Sequence, residues 1–262
     1  MFENGVFIPN DRMLRGSLRT VSETVVFLLL LGYLGARFRA EENLNGWGRV
    51  SSQIFLNNSS KRLHKWFHYF DIYERHFERF RGKSPTMIEI GVFGGGSLEM
   101  WKSYFGEGSK IIGVDINQEC KKHETQGVEV FIGSQDDKKL LTSIFDKYGE
   151  IDIILDDGSH MMQHMIATFE ICYGKLKSNG VYIVEDTHTC YWPEYGGGVK
   201  KEGSFMEFVK DRMDDINAVH TRGVLEVSNF TKSTDCICCY DSVVVFEKRR
   251  QGNRHSLMTE SM

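Results

Sequence analysis

The chain contains 262 residues, 41 % of them hydrophobic, and has a formal net charge of −4 at pH 7. This length predicts one α/β core with additions, and the acidic balance argues against a nucleic-acid-binding protein, because such a protein first needs a basic face. The six cysteines are too scattered to form a disulfide framework or a zinc site, so we interpret them as reduced thiols.

A short apolar run, Val25 to Ala36, lies near the start of the chain between pairs of arginines. Its twelve residues are fewer than the roughly twenty that a membrane-spanning helix needs, and Gly35-Ala36 at its end fits a signal-peptide cleavage site poorly. We therefore interpret residues 1–60 as an accessory helical segment that supports a homo-oligomer, and we expect a cytoplasmic protein. A membrane contact by residues 20–40 and a signal peptide are the alternatives.

An aromatic-rich stretch follows, in which apolar residues recur at steps of three and four positions. This periodicity predicts an amphipathic helix over Lys61–Phe80, with Ser60 as its N-cap. His68 and Tyr69 lie beside the apolar stripe and are candidates for contact with a cofactor.

The segment from Thr86 to Ser97 predicts a buried strand, a glycine-rich turn and the start of a helix. Glycine occupies positions 91, 94, 95 and 96, and Ser97 is placed to cap a helix over Leu98–Phe105. Glycine lets the backbone adopt positive φ and approach a ligand closely, and the helix N-terminus offers free N–H groups. This is the opening unit of a nucleotide-binding α/β domain.

Strands and helices alternate after this unit, which predicts a mostly parallel sheet with right-handed crossovers. The further predicted strands are Lys110–Val114, Val128–Ile132, Ile151–Leu155 and Val181–Val184. The further predicted helices are Leu140–Tyr148, Met165–Leu176 and Ser204–Val219. Cys236–Tyr240 and Ser242–Glu247 are expected to form an antiparallel pair at one edge, which gives a seven-stranded α/β sheet. We assign residues 61–248 to this domain and residues 249–262 to a flexible tail.

Polar residues follow these strands, and the ligands of parallel sheets bind beyond the carboxyl ends of the strands. The first turn lacks the second glycine of the dinucleotide fingerprint, the one that makes room for a pyrophosphate, and Glu89 before it would repel a phosphate. A cofactor with a positive charge and no phosphate fits better, and S-adenosylmethionine (SAM) has both features. A plain tight turn is the alternative for the glycines.

We place the SAM site along this rim. Asp115 ends the second strand, where a carboxylate accepts hydrogen bonds from ribose hydroxyls, and the residues after the third strand lie where an adenine amino group would arrive. A helix cap and a solvated turn are the alternatives for these two positions. The expected cofactor-binding residues are Glu89, Gly91, Gly94, Asp115, Ser134, Gln135, Asp136 and Asp156.

Carboxylates also follow the fourth and fifth strands, at Asp156–Asp157 and Glu185–Asp186. Several carboxylates in one crevice repel one another unless a cation lies between them, and oxygen-only ligands select a hard ion such as Mg²⁺. We expect Asp157, Glu185 and Asp186 to bind this ion, with Asp156 facing the sheet or the cofactor. The alternative is that these carboxylates cap helices.

His160 is the expected general base, with His164 and His188 as alternatives. An acceptor hydroxyl would attack the sulfonium methyl group in line, and a metal would lower the pKa of that hydroxyl. Chelation favours an acceptor with two adjacent hydroxyls, such as a sugar. Trp192 and Tyr195, in a segment predicted to cover the acceptor, are candidates to stack on a sugar ring, and loop packing is the alternative.

Three motifs together resemble a known family. They are Ile88-Glu-Ile-Gly-Val-Phe-Gly-Gly-Gly-Ser, Leu155-Asp-Asp-Gly-Ser-His, and Val184-Glu-Asp-Thr-His-Thr followed by Tyr191-Trp. The chain resembles, over about residues 61–248, the macrolide-sugar O-methyltransferases of the mycinamicin and demethylmacrocin type and their cephalosporin-hydroxylase-like relatives. The resemblance implies a Rossmann-like class I methyltransferase fold, SAM and Mg²⁺. It also implies metal binding by Asp157, Glu185 and Asp186, with His160 as the base.

The sequence therefore predicts Mg²⁺-dependent transfer of a methyl group from SAM to a hydroxyl of a sugar-like small molecule or glycan, with no nucleic-acid partner. A non-sugar acceptor is the alternative within the same chemistry. An NAD-dependent oxidoreductase and a SAM-binding protein without turnover are alternatives from other classes. The missing glycine disfavours the oxidoreductase, and the complete set of His160 and carboxylates disfavours the protein without turnover.

Overall fold

The computed structural model describes residues 50–250, 252 and 256–259. The apolar run from Val25 to Ala36 lies outside these residues, as do most of the predicted accessory segment 1–60 and part of the predicted tail 249–262. In the described part of the chain, every helix is too short or too polar to cross a membrane.

A seven-stranded sheet forms the centre of the described domain. Its strands are β1 (Thr86–Ile90), β2 (Lys110–Asp115), β3 (Val128–Ile132), β4 (Ile151–Asp156), β5 (Leu176–Val184), β6 (Thr234–Tyr240) and β7 (Val243–Lys248). Their order is β3-β2-β1-β4-β5-β7-β6; the first five pair in parallel, and β7 is antiparallel to both of its neighbours. The predicted fold class is confirmed, with the late antiparallel pair at one edge.

Helices cover both faces of this sheet. The α-helices of the described residues are α1 (Ser51–Asn57), α2 (Tyr69–Phe77), α3 (Gly96–Phe105), α4 (Lys138–Tyr148), α5 (Met162–Cys172), α6 (Phe205–Ile216) and α7 (Asn229–Ser233). Successive residues of β1 point to opposite faces, so that Met87 packs with α2 and α3 while Ile88 packs with α4 to α6. Because both faces are covered, the central strands are apolar along nearly their whole length.

The loop before α2 differs from the prediction. The predicted helix over Lys61–Phe80 is wrong in its first part, because regular α-helix begins only at Tyr69. The carbonyl oxygen of Arg62 accepts a hydrogen bond from the Gly96 N–H at 3.2 Å, and a Cβ atom at Gly94 would lie 2.5 Å from the same oxygen. The loop therefore packs on the glycine turn, and this tertiary contact overrides the helical periodicity.

The boundaries of three further elements differ from the prediction. Gly95, rather than Ser97, is the N-cap of α3, and its φ of 74° is in the left-handed region that glycine adopts readily. The predicted helix Met165–Leu176 begins earlier, at Met162, and ends at Cys172, and β5 begins at Leu176. A register irregularity between β4 and β5 absorbs residues 177–180.

Replacement of Gly91 tests the close packing at the end of β1. Gly91 has a φ of 92°, and a Cβ atom there would lie 2.0 Å from the Asp157 carbonyl oxygen. We expect Gly91→Ala to lower the free energy of unfolding, measured in urea, by about 2 kcal/mol or more, because alanine adds backbone strain and a clash. The control Gly174→Ala, whose methyl group would meet no atom within 4 Å, should change little. Equal unfolding free energies for the two variants would contradict this packing.

Candidate active site

A cavity of about 200 Å³ opens at the carboxyl ends of the central strands. Four of the eight predicted cofactor-binding residues line it: Gly91, Asp115, Ser134 and Gln135. The other lining residues are Ile90, Val114, Ile116, Gly133, Gly158, Ser159 and His164. Because parallel strands end at the same edge of a sheet, residues far apart in sequence meet here.

Asp115, at the end of β2, holds the glycine turn in place. Its Oδ2 atom accepts hydrogen bonds from the N–H groups of Val92 at 2.8 Å and Phe93 at 3.1 Å, and Oδ1 accepts from the Asn117 N–H at 2.8 Å. Partial burial acts to raise the pKa of Asp115, but these three donors outweigh it and hold the pKa below its ordinary value. The carboxylate therefore stays charged, with lone pairs left for a ligand hydroxyl.

The carboxamide of Gln135 is fixed by contacts behind the cavity. Its Nε2 atom donates to Asp156 Oδ1 at 3.1 Å and to Thr168 Oγ1 at 3.0 Å, and its Oε1 atom accepts from the Ser159 N–H at 2.7 Å. Asp156 is buried, and burial raises the pKa of its carboxyl group to about 7. Asp156 is thus a support for Gln135 and not part of the cavity wall, a distinction that the sequence left open.

The other three predicted cofactor-binding residues also lie off this wall. Gly94 packs against Arg62, and Asp136 accepts a hydrogen bond from the Ser134 hydroxyl. Glu89 is completely buried, and burial raises the pKa of its carboxyl group to about 7. The requirement for glycine at position 94 is therefore explained by the packing of the loop before α2.

A second cluster, of two carboxylates and a histidine, lies at the ends of β4 and β5. His160 Nε2 is 3.9 Å from Asp157 Oδ1 and 3.7 Å from Asp186 Oδ2. One ligand atom from each of these three residues lies within 4.8 Å of the others, a spacing that suits one shared cation. His160 and Asp186 have φ angles of 56° and 51°. Such left-handed backbone costs a residue with a Cβ about 1–2 kcal/mol and is concentrated at functional sites.

Glu185, the third predicted metal ligand, has a different set of partners. Its side chain is buried, with Oε1 accepting a hydrogen bond from the Tyr73 hydroxyl and Oε2 lying 2.7 Å from Lys65 Nζ. Lys65 Nζ is also 2.7 Å from Asp157 Oδ2. Glu185 is therefore held close to Asp157 through an ammonium group that both carboxylates share.

Lys65 is a site residue that sequence reasoning missed. Its side chain is only 2 % exposed, although the loop before α2 carries it. Burial acts to lower the pKa of Lys65, but Asp157 and Glu185 outweigh it and hold the pKa well above its ordinary value. The only signal in the sequence was the general need of an acidic crevice for positive charge, which does not single out one lysine.

His68 and Tyr69, the two candidates for contact with a cofactor, lie at the start of α2, and one of them reaches the carboxylates that follow β5. The Tyr69 hydroxyl donates to Asp186 Oδ1 at 2.7 Å, which leaves Oδ2 directed to the His160 side. His68 instead contacts the Asp241 carbonyl oxygen, with 3.2 Å between Nε2 and that oxygen. Tyr69 therefore orients a predicted metal ligand and is not one of the residues that line the cavity.

The two alternative histidines have other neighbours. His164 lines the cavity, and its Nδ1 atom is 2.8 Å from the Ser159 hydroxyl. His188 Nδ1 is 2.9 Å from the Ser242 hydroxyl. Of the three histidines, His160 is the one placed beside the carboxylates that end β4 and β5.

A row of five ring-bearing residues extends from this cluster to the loop before α2. The ring centroids are 6.4 Å apart for His160–Tyr195, 5.9 Å for Tyr195–Trp192, 4.9 Å for Trp192–His188 and 6.2 Å for His188–Trp66. Trp66 and Trp192 are 46 % and 42 % exposed. This aromatic row offers apolar ring surface to a ligand that reaches His160.

Comparison with known proteins identifies the relatives of the chain, although no protein-family model matches it. Demethylmacrocin O-methyltransferase of Streptomyces fradiae is 36 % identical over 185 residues, which cover 64 % of this chain and 46 % of that protein. Mycinamicin VI 2''-O-methyltransferase of Micromonospora griseorubida is 36 % identical over 154 residues, which cover 55 % and 38 %. The solved MycE methyltransferase from the mycinamycin biosynthetic pathway has a TM-score of 0.67 and 30 % identity, covering 78 % of this chain and 54 % of that one.

The resemblance to the macrolide-sugar O-methyltransferase family is confirmed. The chain spans less than half the length of these curated sugar O-methyltransferases and about half of the solved one. The roles of individual residues stay predictions, and the geometry of the site decides which residues can act together.

Asp115→Asn tests the hydrogen bonds through which Asp115 holds the glycine turn of this methyltransferase-type domain. At pH 7 we expect a loss of about 1–2 kcal/mol in unfolding free energy, because an amide cannot accept the same N–H donors with both atoms. The pKa of Asp115 is lowered in the folded state, so its stabilisation exists above the unfolded pKa of about 4 and is lost as the pH falls through the folded pKa.

The loss caused by Asp115→Asn should therefore shrink as the pH is lowered from 7 to 3 in urea-unfolding experiments. Asp146→Asn, at an exposed position on α4, controls for the change of charge. A loss of unfolding free energy that is independent of pH would contradict the proposed hydrogen bonding of the glycine turn by the Asp115 carboxylate.

Proposed function

We propose that this chain transfers a methyl group from SAM to a hydroxyl of a sugar-like acceptor, in a reaction that needs Mg²⁺, and that residues 61–248 form the catalytic domain. The observation that carries the proposal is the adjacency of the cavity at the ends of the central strands and the Asp157–His160–Asp186 cluster. Gly91 lines the cavity while its backbone touches that of Asp157. A donor in the cavity and an acceptor at the cluster would therefore be neighbours.

The cavity supplies partners of the kind that an adenosine group needs. Asp115 can accept hydrogen bonds from ribose hydroxyls, and Ser134 and Gln135 offer polar atoms next to them. Ile116 is 76 % exposed at the same cavity, and a base lying over it would remove this apolar surface from water. The negative charge of the neighbouring carboxylates also favours a donor with a positive sulfonium group.

The carboxylates fit a hard divalent cation. Asp157 and Glu185 already hold one positive group, Lys65 Nζ, and carboxylate oxygen atoms are the ligands that Mg²⁺ prefers. We propose that Asp157, Glu185 and Asp186 hold the ion, as the resemblance implies, and imidazole is a poorer ligand for it. Mg²⁺ bound there would lower the pKa of an acceptor hydroxyl and fix two adjacent oxygens. The solved MycE structures contain Mg and SAH, which supports Mg²⁺ as the ion.

His160 is the proposed general base. Its Nε2 atom would take the proton of the acceptor hydroxyl as the oxygen bonds to the methyl carbon and the bond from that carbon to sulfur breaks. The imidazolium formed in this step would lie within 4 Å of Asp157 and Asp186, which stabilise its charge. Tyr69 keeps Asp186 in place for this role.

The aromatic row supports a sugar-like acceptor. Its exposed rings, those of Trp66 and Trp192, would cover the C–H face of a sugar, while the hydroxyl groups of the sugar would face His160 and the carboxylates. One solved MycE structure contains mycinamycin VI together with Mg and SAH. We propose that the acceptor of this chain is likewise a glycoside or sugar with adjacent hydroxyls.

A transfer assay tests the proposed reaction. We expect methyl label to pass from SAM to at least one member of a glycoside panel with adjacent hydroxyls when Mg²⁺ is present. EDTA should abolish transfer and added Mg²⁺ should restore it, because the hydroxyl keeps its proton without the ion. Monodeoxy glycosides, which lack one of the two hydroxyls, serve as matched controls and should react more slowly. Full transfer in EDTA would contradict the metal site, and transfer to none of the glycosides would contradict the acceptor class.

His160→Asn tests the base. Asparagine tolerates the left-handed backbone at this position better than alanine but cannot take a proton, so transfer should fall by about 10²-fold or more while SAM still binds. The control His164→Asn should affect SAM binding more than the rate at saturating SAM, because His164 lines the cavity. A rate for His160→Asn close to that of the unaltered chain would remove His160 from this role.

A further inference from the structure

Lys65 lies where the carboxylates at the ends of β1, β4 and β5 come together. Its Nζ atom is 2.7 Å from Asp157 Oδ2, 2.7 Å from Glu185 Oε2 and 3.7 Å from Glu89 Oε1. The side chains of Lys65, Glu89 and Glu185 are 2 %, 0 % and 1 % exposed. Two buried carboxylates and a third nearer the surface therefore share one positive charge that the chain itself provides.

We propose that Lys65 is the resident counter-cation of this cluster and that it competes with a divalent cation for Asp157 and Glu185. The inference rests on the proposed Mg²⁺ site and adds to it a residue that sets the affinity for the metal. An ammonium group and a divalent ion repel each other strongly at such short range. Glu185 Oε1 accepts a hydrogen bond from Tyr73, so a metal on Glu185 would need the Oε2 atom that Lys65 holds together with Asp157 Oδ2. Occupation of the site by the metal thus requires Lys65 to release these atoms.

Lys65 can move away from the carboxylate oxygens without loss of regular structure in its loop. Residues 58–67 form neither helix nor strand. The loop is attached to α3 by polar contacts, with Lys61 Nζ 2.7 Å from Glu99 Oε1 and the Ser60 hydroxyl 2.8 Å from Glu99 Oε2. Trp66, the residue after Lys65, is 46 % exposed. Movement of the Lys65 side chain would therefore break ion pairs at the site but leave the helices and the sheet intact.

Removal of the ammonium group should have two opposite effects. Buried carboxylates that lose the Lys65 ammonium group destabilise the metal-free protein, because charge that it balanced is left uncompensated. The same loss makes the cluster more negative, so a divalent cation should bind more tightly. If Lys65 served structure alone, its removal would lower stability without raising the affinity for the metal. Stability and metal affinity, measured together, therefore separate these roles.

The test compares Lys65→Met with Lys61→Met, which removes a lysine of the same loop from a partly exposed ion pair. Mg²⁺ binding is measured by calorimetry and thermal unfolding is followed in EDTA, both without SAM or acceptor. Lys65→Met should bind Mg²⁺ about tenfold more tightly than the unaltered chain. It should also melt at a lower temperature in EDTA, with Mg²⁺ restoring part of the loss, whereas Lys61→Met should leave the Mg²⁺ affinity unchanged. An equal or weaker Mg²⁺ affinity of Lys65→Met would overturn the proposal.

A measurement on the unaltered chain serves if Lys65→Met does not fold. Amine-directed labelling with peptide mass spectrometry should find Lys65 protected in EDTA and labelled severalfold faster at saturating Mg²⁺, with Lys61 unchanged. Equal labelling of Lys65 in both conditions, or no binding of Mg²⁺ at all, would overturn the competition. Neither assay involves methyl transfer. The competition between Lys65 and Mg²⁺ can therefore be confirmed even if the proposed methyl transfer is not observed.

Discussion

Carboxylate groups from three strands meet at one edge of this sheet, and their mutual repulsion constrains the elements built around them. Glu89, Asp157 and Glu185 lie within 3.7 Å of a single ammonium group, that of Lys65. Without a cation these crowded carboxylates would take up protons or open to water. The chain supplies the cation from a loop that folds back onto the strand ends, which explains why Lys65 is buried although its loop has no regular structure.

The glycine-rich turn after β1 serves both parts of the site. Gly91 admits the backbone of Asp157 on one side, and Gly94 admits the backbone of Arg62 on the other. Asp115 clamps the same turn through its carboxylate. The cavity for the donor and the loop that carries Lys65 therefore depend on one short segment, and a side chain in the turn would disturb both.

The alternation of strands and helices was enough to predict the sheet, its class and the edge where polar residues converge. The structure has Asp115, Asp157, His160 and Asp186 at that edge, because a residue that follows a parallel strand must lie there. Lys65 escaped prediction because it pairs with residues 92 and 120 positions away in the sequence, and local periodicity carries no information about such contacts. The periodicity also gave a wrong prediction, because it indicated a helix from Lys61, whereas the packing of this loop on the glycine turn prevents a helix before Tyr69.

The central claim is that one edge of the sheet brings a nucleoside pocket next to a cation held by carboxylates. A crystal structure with S-adenosylhomocysteine and Mn²⁺, with the ion located by its anomalous scattering, tests this claim most directly. We predict a metal peak in contact with Asp157 and Asp186, and a nucleoside whose ribose hydroxyls bind Asp115 in the neighbouring cavity. A metal bound away from these two carboxylates, or a nucleoside outside that cavity, would contradict the account.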